Sequence, residues 1–298
     1  MAIDVTDQPA SQDAVTEAIR VSVPAKGLRQ DLRAISIVWR RELIRFRSDR
    51  LRAVTQLVQP VLFLFVLGTG LSSLARRGMP AGVDFRTFIY PGVLSMSVLF
   101  TAIFSAASIV WDREFGFLRE MLVAPVSRAA LVIGKCLGGA TVATSQGIVI
   151  LALAWFAHVP YDPVLFLTVI GELLLLSFTL TAFGVMMAAR IKQIQAFMAL
   201  TQMLVMPLFF LSGALYPLNG LPAWLTVLTR FDPLTYIVDP MRHAVFSHLS
   251  LPARAFNVLS PGVTWFGWEV PIGVSLGIVA LMGATLLGVA IAEFQRTE

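Results

Sequence analysis

The side chains best suited to bind a partner protein belong to seven charged residues in the middle of the chain. They are Asp112, Arg113, Glu114, Arg119, Glu120, Arg128 and Lys135. Uncharged runs over residues 87–111 and 136–161 flank this segment, and each is long enough to cross a bilayer. Because clustered charges are costly in lipid, we expect residues 111–135 to form an elbow at the cytoplasmic membrane surface that contacts a soluble partner.

Apolar residues within this elbow recur at the spacing of a helix. Their spacing is three and four residues, at Phe115, Leu118 and Leu122. This pattern predicts a short helix from Asp112 to about Val123 with one apolar stripe and a polar face. Pro125 would end the helix, because a residue before proline avoids helical angles. Ser127 is then placed to cap the next helix.

The motifs of several enzyme classes are absent from the sequence. No GxxxxGKS/T phosphate-binding motif is present, since Gly134 and Lys135 are followed by Cys136 and lack the upstream glycine. There is no HExxH motif, and Ser212 lacks the preceding glycine of GxSxG. The histidines show no ligand spacing with carboxylates. We therefore predict no catalytic residue, no metal site and no cofactor bound by this chain.

Composition indicates an integral membrane protein. Hydrophobic residues make up 57% of the 298 positions, charged residues only 14%, and the mean hydropathy is +0.77. About 20 apolar residues suffice for one span, and six runs meet that length. The predicted spans cover residues 53–75, 87–111, 136–158, 164–189, 196–216 and 270–292. The predicted fold is therefore an all-α, six-span bundle, with tails at 1–27 and 293–298.

A helix over residues 28–52 precedes the first span. Its apolar residues fall on one stripe, namely Leu28, Leu32, Ile35, Trp39, Leu43 and Phe46. The flanks carry arginines, including Arg33, Arg40 and Arg41. We predict an amphipathic helix in the headgroup layer, with Trp39 at the interface and the arginines near anionic lipid. An ordinary helix packed on protein is the alternative.

The distribution of Lys and Arg predicts the orientation. With the amino terminus inside, 17 of the 23 Lys and Arg residues lie on the inner side, so both termini are predicted to be cytoplasmic. The last outer loop, 217–269, alternates prolines with apolar stretches too short to cross. It is predicted to form two short helices that re-enter the outer leaflet.

Polar residues inside the spans are candidates for a substrate path. The hydroxyls of Ser97, Thr101 and Ser105 share one face of the second span, which could line a path or form a packing seam. Glu172 lies about 13 Å past the start of its span, where a charge is costly. It is therefore expected to face the bundle or stay protonated. Gln202 completes the candidate path.

Two stretches carry a resemblance to a known family. The first is EFGFLREMLVAPVSR at residues 114–128, followed by Gly134 and Lys135, and the second is FLSGALYP at 210–217 with DPLTY at 232–236. The chain resembles the membrane permease subunits of type-2 ABC exporters over about residues 30–292. This resemblance implies six spans, a connecting helix before the first span, a coupling helix between the second and third, and outer re-entrant helices.

The same resemblance implies the partners. It implies two permease subunits, as a homodimer or a heterodimer, and two ATPase subunits that bind ATP and Mg. It also implies a substrate path between the permeases, involving the first, second and fifth spans. The residues that would couple to the ATPase are Glu114, Gly116, Leu118, Arg119, Glu120, Pro125 and Arg128.

These observations predict a permease of the bacterial cell membrane that exports a hydrophobic drug-like or lipid-like substrate. The energy would come from the separate ATPase, and no nucleic acid would be bound. Two alternatives remain from the sequence: export of a polysaccharide or lipid-linked glycan, and ion-coupled secondary transport that uses Glu172.

Overall fold

The computed structural model describes residues 27–72, 83–116, 126–218, 220–249, 251–265 and 267–296. The first helices are α1 (Leu28–Ser48), α2 (Arg50–Leu62, extended by Phe63–Leu67 and Gly68–Gly70), α3 (Phe85–Ser105), α4 (Ala107–Glu114) and α5 (Arg128–Leu151). The others are α6 (Pro163–Arg190), α7 (Ile194–Leu211), α8 (Ala223–Phe231), α9 (Thr235–Ser247), α10 (Ala253–Leu259) and α11 (Ile272–Arg296). A 3-10 turn, Ala154–Ala157, follows α5, and a hairpin of β1 (Thr264–Trp265) and β2 (Trp268–Glu269) precedes α11.

The helices form a membrane bundle. Within the described ranges, five helical stretches are long and apolar enough to cross a membrane, at 50–70, 85–114, 163–190, 194–211 and 272–296. Helix α5 stands in the third predicted span and has 24 residues, but Lys135 and Gln146 make it more polar. The all-α membrane fold predicted from the sequence is confirmed. The number of six spans stays a prediction.

Helix α6 lies at the centre of the bundle, packed against α3, α5 and α11. Its buried apolar residues recur every three or four positions, at Leu165, Val169, Leu173, Leu176 and Leu180, so one continuous stripe faces its neighbours. In an apolar 18-residue segment of the α3–α4 stretch, 89% of the residues are buried. In the corresponding segment of α2, only 17% are buried. The surface of α2 is therefore available to lipid or to another chain.

The two ends of the bundle differ in their elements. We call the end where α4 stops and α5 starts the elbow end, and it also contains the end of α6, the start of α7 and the end of α11. The opposite end carries α8, α9, α10 and the hairpin. Helices α8 and α9 lie where the sequence predicts two short helices, and α10 and the hairpin are further elements of the same loop. Re-entry of α8 and α9 into the outer leaflet stays a prediction.

The sequence predicts a helix that begins at Asp112 and runs to about Val123, and the predicted starting residue is wrong. The residues up to Glu114 continue the helix of the second span, and the helix stops there. Gly116 has a φ of +83°, a left-handed conformation that glycine adopts without the steric cost of a Cβ. Residues 117–125 lie outside the described part of the chain.

Candidate functional site

The last turn of α4 is fixed to the turn between α6 and α7. One Arg113 Nη donates hydrogen bonds to the carbonyl oxygens of Ala188 (3.0 Å) and Ile191 (2.8 Å). Glu114 Oε2 accepts a hydrogen bond of 3.0 Å from the backbone N–H of Ile194. Because the first N–H groups of a helix lack partners within it, the Glu114 carboxylate caps α7 and complements its dipole.

The other side of the elbow is fixed to α1 and α11. Ser127 Oγ accepts a 3.1 Å hydrogen bond from the backbone N–H three residues further on, which confirms the predicted cap of α5. The Ser127 backbone N–H donates to Asp31 Oδ1 of α1 at 3.1 Å. Arg128 donates to the carbonyl oxygens of Phe294 (3.1 Å) and Gln295 (3.2 Å) at the end of α11. The two sides of the elbow therefore contact different helices.

Part of the elbow itself lies outside the described residues. That part includes the predicted coupling residues Leu118, Arg119, Glu120 and Pro125. Next to it, the Phe115 side chain is 71% exposed, and a Cβ added at Gly116 would have open space around it. A groove beside Phe115, lined also by Trp111, Asp112, Arg41, Ile44 and Arg45, has a volume of about 400 Å³.

A buried ion-pair network joins α1, α4 and α5. Lys135 Nζ lies 2.7 Å from Glu42 Oε1, 3.0 Å from Asp112 Oδ2 and 2.9 Å from Ser108 Oγ. Arg41 adds a 2.6 Å ion pair to the same Asp112 oxygen. The Lys135, Glu42 and Asp112 side chains are only 6–11% exposed. Removing one member would leave a buried charge unpaired, so we expect the network to hold these three helices together.

Close packing accompanies this network. A Cβ at Gly134 would lie 2.8 Å from Val38 Cβ, and one at Gly138 would lie 2.7 Å from Glu42 Cβ. Glycines four residues apart share one face of α5, and their lack of side chains lets the backbone of α1 approach closely. Helix α1 therefore crosses α5 in direct contact.

The four residues predicted to lie at the interface in α1 have different surroundings. Arg33 and Arg40 are exposed, Trp39 Nε1 donates to Thr141 Oγ1 of α5 at 3.0 Å, and Arg41 belongs to the ion-pair network. Two members of the predicted apolar stripe, Leu28 and Leu32, are 81% and 57% exposed. One face of α1 thus packs on protein while the start of its predicted stripe remains uncovered.

The structure separates the residues of the candidate substrate path. Ser97 and Thr101 are buried, and Thr101 Oγ1 donates to Gln146 Oε1 of α5 at 3.1 Å. Glu172 is 5% exposed, and its Oε2 has no hydrogen-bond partner among the described residues. Gln202 is exposed on α7. Their role in a path stays a prediction.

One polar pocket brings two of the path residues together near the elbow end. It has a volume of about 40 Å³, room for about three water molecules. Thr101 and Ser105 are the two path residues that line it. The other residues that line it are Glu42, Arg45, Phe46, Asp49, Arg52, Gln56, Ser108, Gly139 and Val142. Ser97, Glu172 and Gln202 do not line this pocket.

The sequence analysis missed the ion-pair network. The sequence predicts Asp112 and Lys135 in the cytoplasmic elbow, whereas the structure places them within α4 and α5, the helices on either side of it. A usable signal was Glu42, which follows Ala34 and Val38 at helical spacing and so falls on the buried face of α1. A carboxylate at such a position requires a cationic partner.

Comparison with known proteins matches this chain to one transporter family and to several relatives. The family described as ABC-2 type transporter matches residues 33–246. Nodulation protein J of Rhizobium leguminosarum bv. trifolii is 27% identical over 221 residues, covering 71% of this chain and 80% of that protein. The inner membrane transport permease YadH of Escherichia coli strain K12 is 26% identical over 229 residues, covering 76% and 88%.

A third relative from the same strain has a name that includes a substrate class. It is called "Probable multidrug ABC transporter permease YbhR" and is 28% identical over 188 residues. The alignment covers 60% of this chain and 49% of that protein.

Proposed function

Because this chain belongs to the ABC-2 type transporter family, and is thus a transmembrane permease of an ABC transporter, we propose that it exports a hydrophobic drug-like or lipid-like substrate. Family membership implies a partnership with an ABC ATPase subunit. In the proposed assembly two ATPase subunits bind ATP and Mg, and two permease copies in the bacterial inner membrane form the substrate path. The elbow end and both termini face the cytoplasm.

The observation that supports this proposal is the way the elbow is anchored. Its two sides are hydrogen-bonded to different helices, through Arg113 and Glu114 to α6 and α7, and through Ser127 and Arg128 to α1 and α11. A partner that displaces the elbow would therefore move several spans together as rigid bodies. The multidrug name of YbhR, a relative, supports the drug-like class of substrate.

Phe115 and the adjacent groove are proposed to contact the ATPase. An exposed aromatic residue beside a groove is typical of the anchors of protein interfaces. The groove also carries Arg41 and Arg45, whose guanidinium groups lie 2.6 Å and 3.8 Å from Asp112 carboxylate oxygens and make this face basic. Replacing Phe115 with Asp should weaken this contact without disturbing the buried network.

The test is affinity purification of the full-length chain from its native membrane. We expect an ABC ATPase to co-purify, and Phe115→Asp to reduce its yield at least about tenfold, as loss of an interface anchor does. Trp268→Asp is the matched control, since Trp268 is 55% exposed at the opposite end. Equal loss in both variants, or none in either, would contradict the proposed contact.

Transport is then measured in inverted vesicles that contain the purified complex. The probes are ethidium, as a hydrophobic drug-like cation, and a fluorescent phospholipid. We expect ATP to drive movement of at least one probe into the vesicle lumen, and Glu172→Gln to leave this movement unchanged. Transport that follows an ion gradient and is lost in Glu172→Gln would instead establish ion-coupled transport.

A further inference from the structure

Helix α7 is packed against the rest of the chain along one narrow line. Its buried residues, Phe197, Thr201, Val205 and Phe209, recur every four positions. Most of its remaining surface is open, with Met203 72% and Phe210 51% exposed. Within one permease copy, α7 is therefore held along this line and at its two ends, and its open face is the side that a second copy would contact in the proposed assembly.

At the elbow end, the amino terminus of α7 is held by acidic and basic side chains from α4. The Glu114 carboxylate accepts the 3.0 Å hydrogen bond from the N–H of Ile194. Arg113 fixes the preceding turn through the carbonyl oxygen of Ile191 at 2.8 Å. The negative charge lies where the helix dipole is positive. Any movement of the end of α4 is therefore passed directly to the start of α7.

At the opposite end, the residues that follow α7 are held by a buried cation from α9. Arg242 is 1% exposed, and one of its Nη atoms donates to the carbonyl oxygens of Gly213 (2.7 Å) and Ala214 (3.4 Å). Its guanidinium also stacks over the Phe88 ring at 4.3 Å from the centroid. The positive charge lies at the carboxyl-terminal side of α7, where the dipole is negative.

The distance between the two attachments suits a mechanical link. Helix α7 has 18 residues, a length of roughly 27 Å at 1.5 Å per residue. Helix α9, which provides Arg242, packs in turn on α6 and α11. The elbow end and the opposite end are thus connected by one helix with a fixed attachment at each end.

We infer that α7 transmits displacement of the elbow to α9, with Glu114 and Arg242 as the two positioning residues. This inference rests on the proposed function and adds the route by which the opposite end responds to ATP. Glu114 acts inside the permease in this arrangement, through Ile194. Glu114 and Arg242 contact the two ends of α7, so this helix is a continuous physical link between the elbow end and the opposite end.

The test uses a single reporter cysteine at the opposite end. Cys136, the only cysteine of the chain, is replaced with Ala, and Trp224 of α8, which is 66% exposed, is replaced with Cys. The full-length protein with its ATPase is reconstituted, and the rate of labelling by a hydrophilic maleimide is measured with and without ATP and vanadate. We expect ATP to change the parent rate at least about fivefold, the lower range of ordinary coupling.

Glu114→Ala should abolish this ATP response while the ATPase still hydrolyses ATP. Arg242→Gln should also abolish it, and Arg242→Lys, which keeps a buried cation and donor, should restore part of it. The double variant Glu114→Ala/Arg242→Lys should respond no better than Glu114→Ala alone, because both residues act through one helix. Glu114→Gln, which keeps a neutral acceptor for Ile194, should keep part of the response.

Arg190→Gln is the matched control. It breaks a 2.6 Å ion pair between α6 and α11 at the elbow end but leaves both attachments of α7 intact, so its ATP response should equal that of the parent. A normal ATP response in Glu114→Ala would overturn the inference. Failure of the proposed function is distinguishable, because the parent itself would then lack an ATP response, and the inference would fall with it.

Discussion

The two ends of the bundle bury charged side chains in different ways. At the elbow end, Lys135, Asp112 and Glu42 lie within 3.0 Å of an oppositely charged atom. At the opposite end, Arg242 donates to backbone carbonyl oxygens and Asp232 Oδ1 accepts from the backbone N–H of Leu234. Arg242 Nε, Asp239 Oδ1 and Asp232 Oδ2 have no hydrogen-bond partner among the described residues. Burial raises the pKa of Asp232 to about 8 and lowers the pKa of Arg242 to about 10.

This difference separates two physical roles. A buried and paired network is strongly specific, because removing any member strands the others. Buried groups with unsatisfied atoms are instead costly in their charged form, so their protonation and the local structure depend on each other. We therefore expect α1, α4 and α5 to move as one rigid unit at the elbow end, and the stability of the opposite end to depend on pH.

The largest expected effect comes from breaking the paired network. Lys135→Met leaves Glu42 and Asp112 buried with less positive charge, and should lower the free energy of unfolding by about 3–5 kcal/mol. The measurement is the thermal unfolding midpoint of the purified protein in detergent, followed by tryptophan fluorescence.

Two further variants define the cause of that loss. Combining Lys135→Met with Glu42→Gln and Asp112→Asn removes the stranded charges and should recover more than half of the stability. Arg190→Gln, which breaks an ion pair whose arginine side chain is 72% exposed, should change the midpoint less than Lys135→Met does. A Lys135→Met protein as stable as wild type would show that the elbow end is not held by its charges.

A smaller effect, dependent on pH, is expected at the opposite end. The folded pKa of Asp232 is raised from 3.8 to about 8, so the folded state binds its proton more tightly than the unfolded state does. Stability contributed by this proton is complete below the unfolded pKa and is lost as pH rises toward 8. Between pH 5 and 8, wild type should therefore lose about 1 kcal/mol per pH unit more than Asp232→Asn.

Asp162 provides the control of opposite sign. Backbone hydrogen bonds from Leu165 and Val164 lower the pKa of Asp162, so its contribution is present above its ordinary pKa of 3.8 and is lost as pH falls below it. Asp162→Asn should alter the pH profile only in acid. Parallel profiles for Asp232→Asn and wild type across pH 5–8 would refute the expected pH response of the opposite end.

The smallest expected effect tests whether close packing assists the charges of the elbow end. Gly134→Ala places a Cβ 2.8 Å from Val38 and 3.1 Å from the Ile35 carbonyl oxygen, and should lower the free energy of unfolding by about 1–3 kcal/mol. Gly277→Ala in α11 meets nothing within 4 Å and should be neutral or stabilising. The measurement is the shift of the thermal unfolding midpoint of each variant relative to wild type. Equal shifts for Gly134→Ala and Gly277→Ala would contradict the packing argument.

Much of the fold was predictable from local patterns. Long apolar runs indicated membrane helices, and Pro125 with Ser127 indicated where the helix of the third span begins, which the cap at Ser127 confirms. The helix predicted from Asp112 onward was wrong at its start. Periodicity alone does not reveal that residues up to Glu114 continue the preceding span and that Gly116 then takes a left-handed conformation.

The candidate site was predictable only in outline. The charged elbow was recognisable because charge is rare in this chain, but the partners of Glu114, Arg128 and Lys135 are separated from them by 80, 166 and up to 93 positions. Such contacts depend on which helices are neighbours. The hydroxyl face of α3 is a further example, because the sequence leaves both a path and a packing seam open there, and its role in a path stays a prediction even though Thr101 donates to Gln146 of α5.

The sequence by itself determined that the chain is a helical membrane protein, where its elbow lies and which family it resembles, because hydropathy, charge and short motifs are local properties. Only the tertiary structure decided that Lys135 joins Glu42 and Asp112, and that α7 is held by Glu114 at one end and Arg242 at the other. The physical reason is that charges buried in an apolar bundle are stabilised by partners from other helices, and packing alone brings those partners within reach.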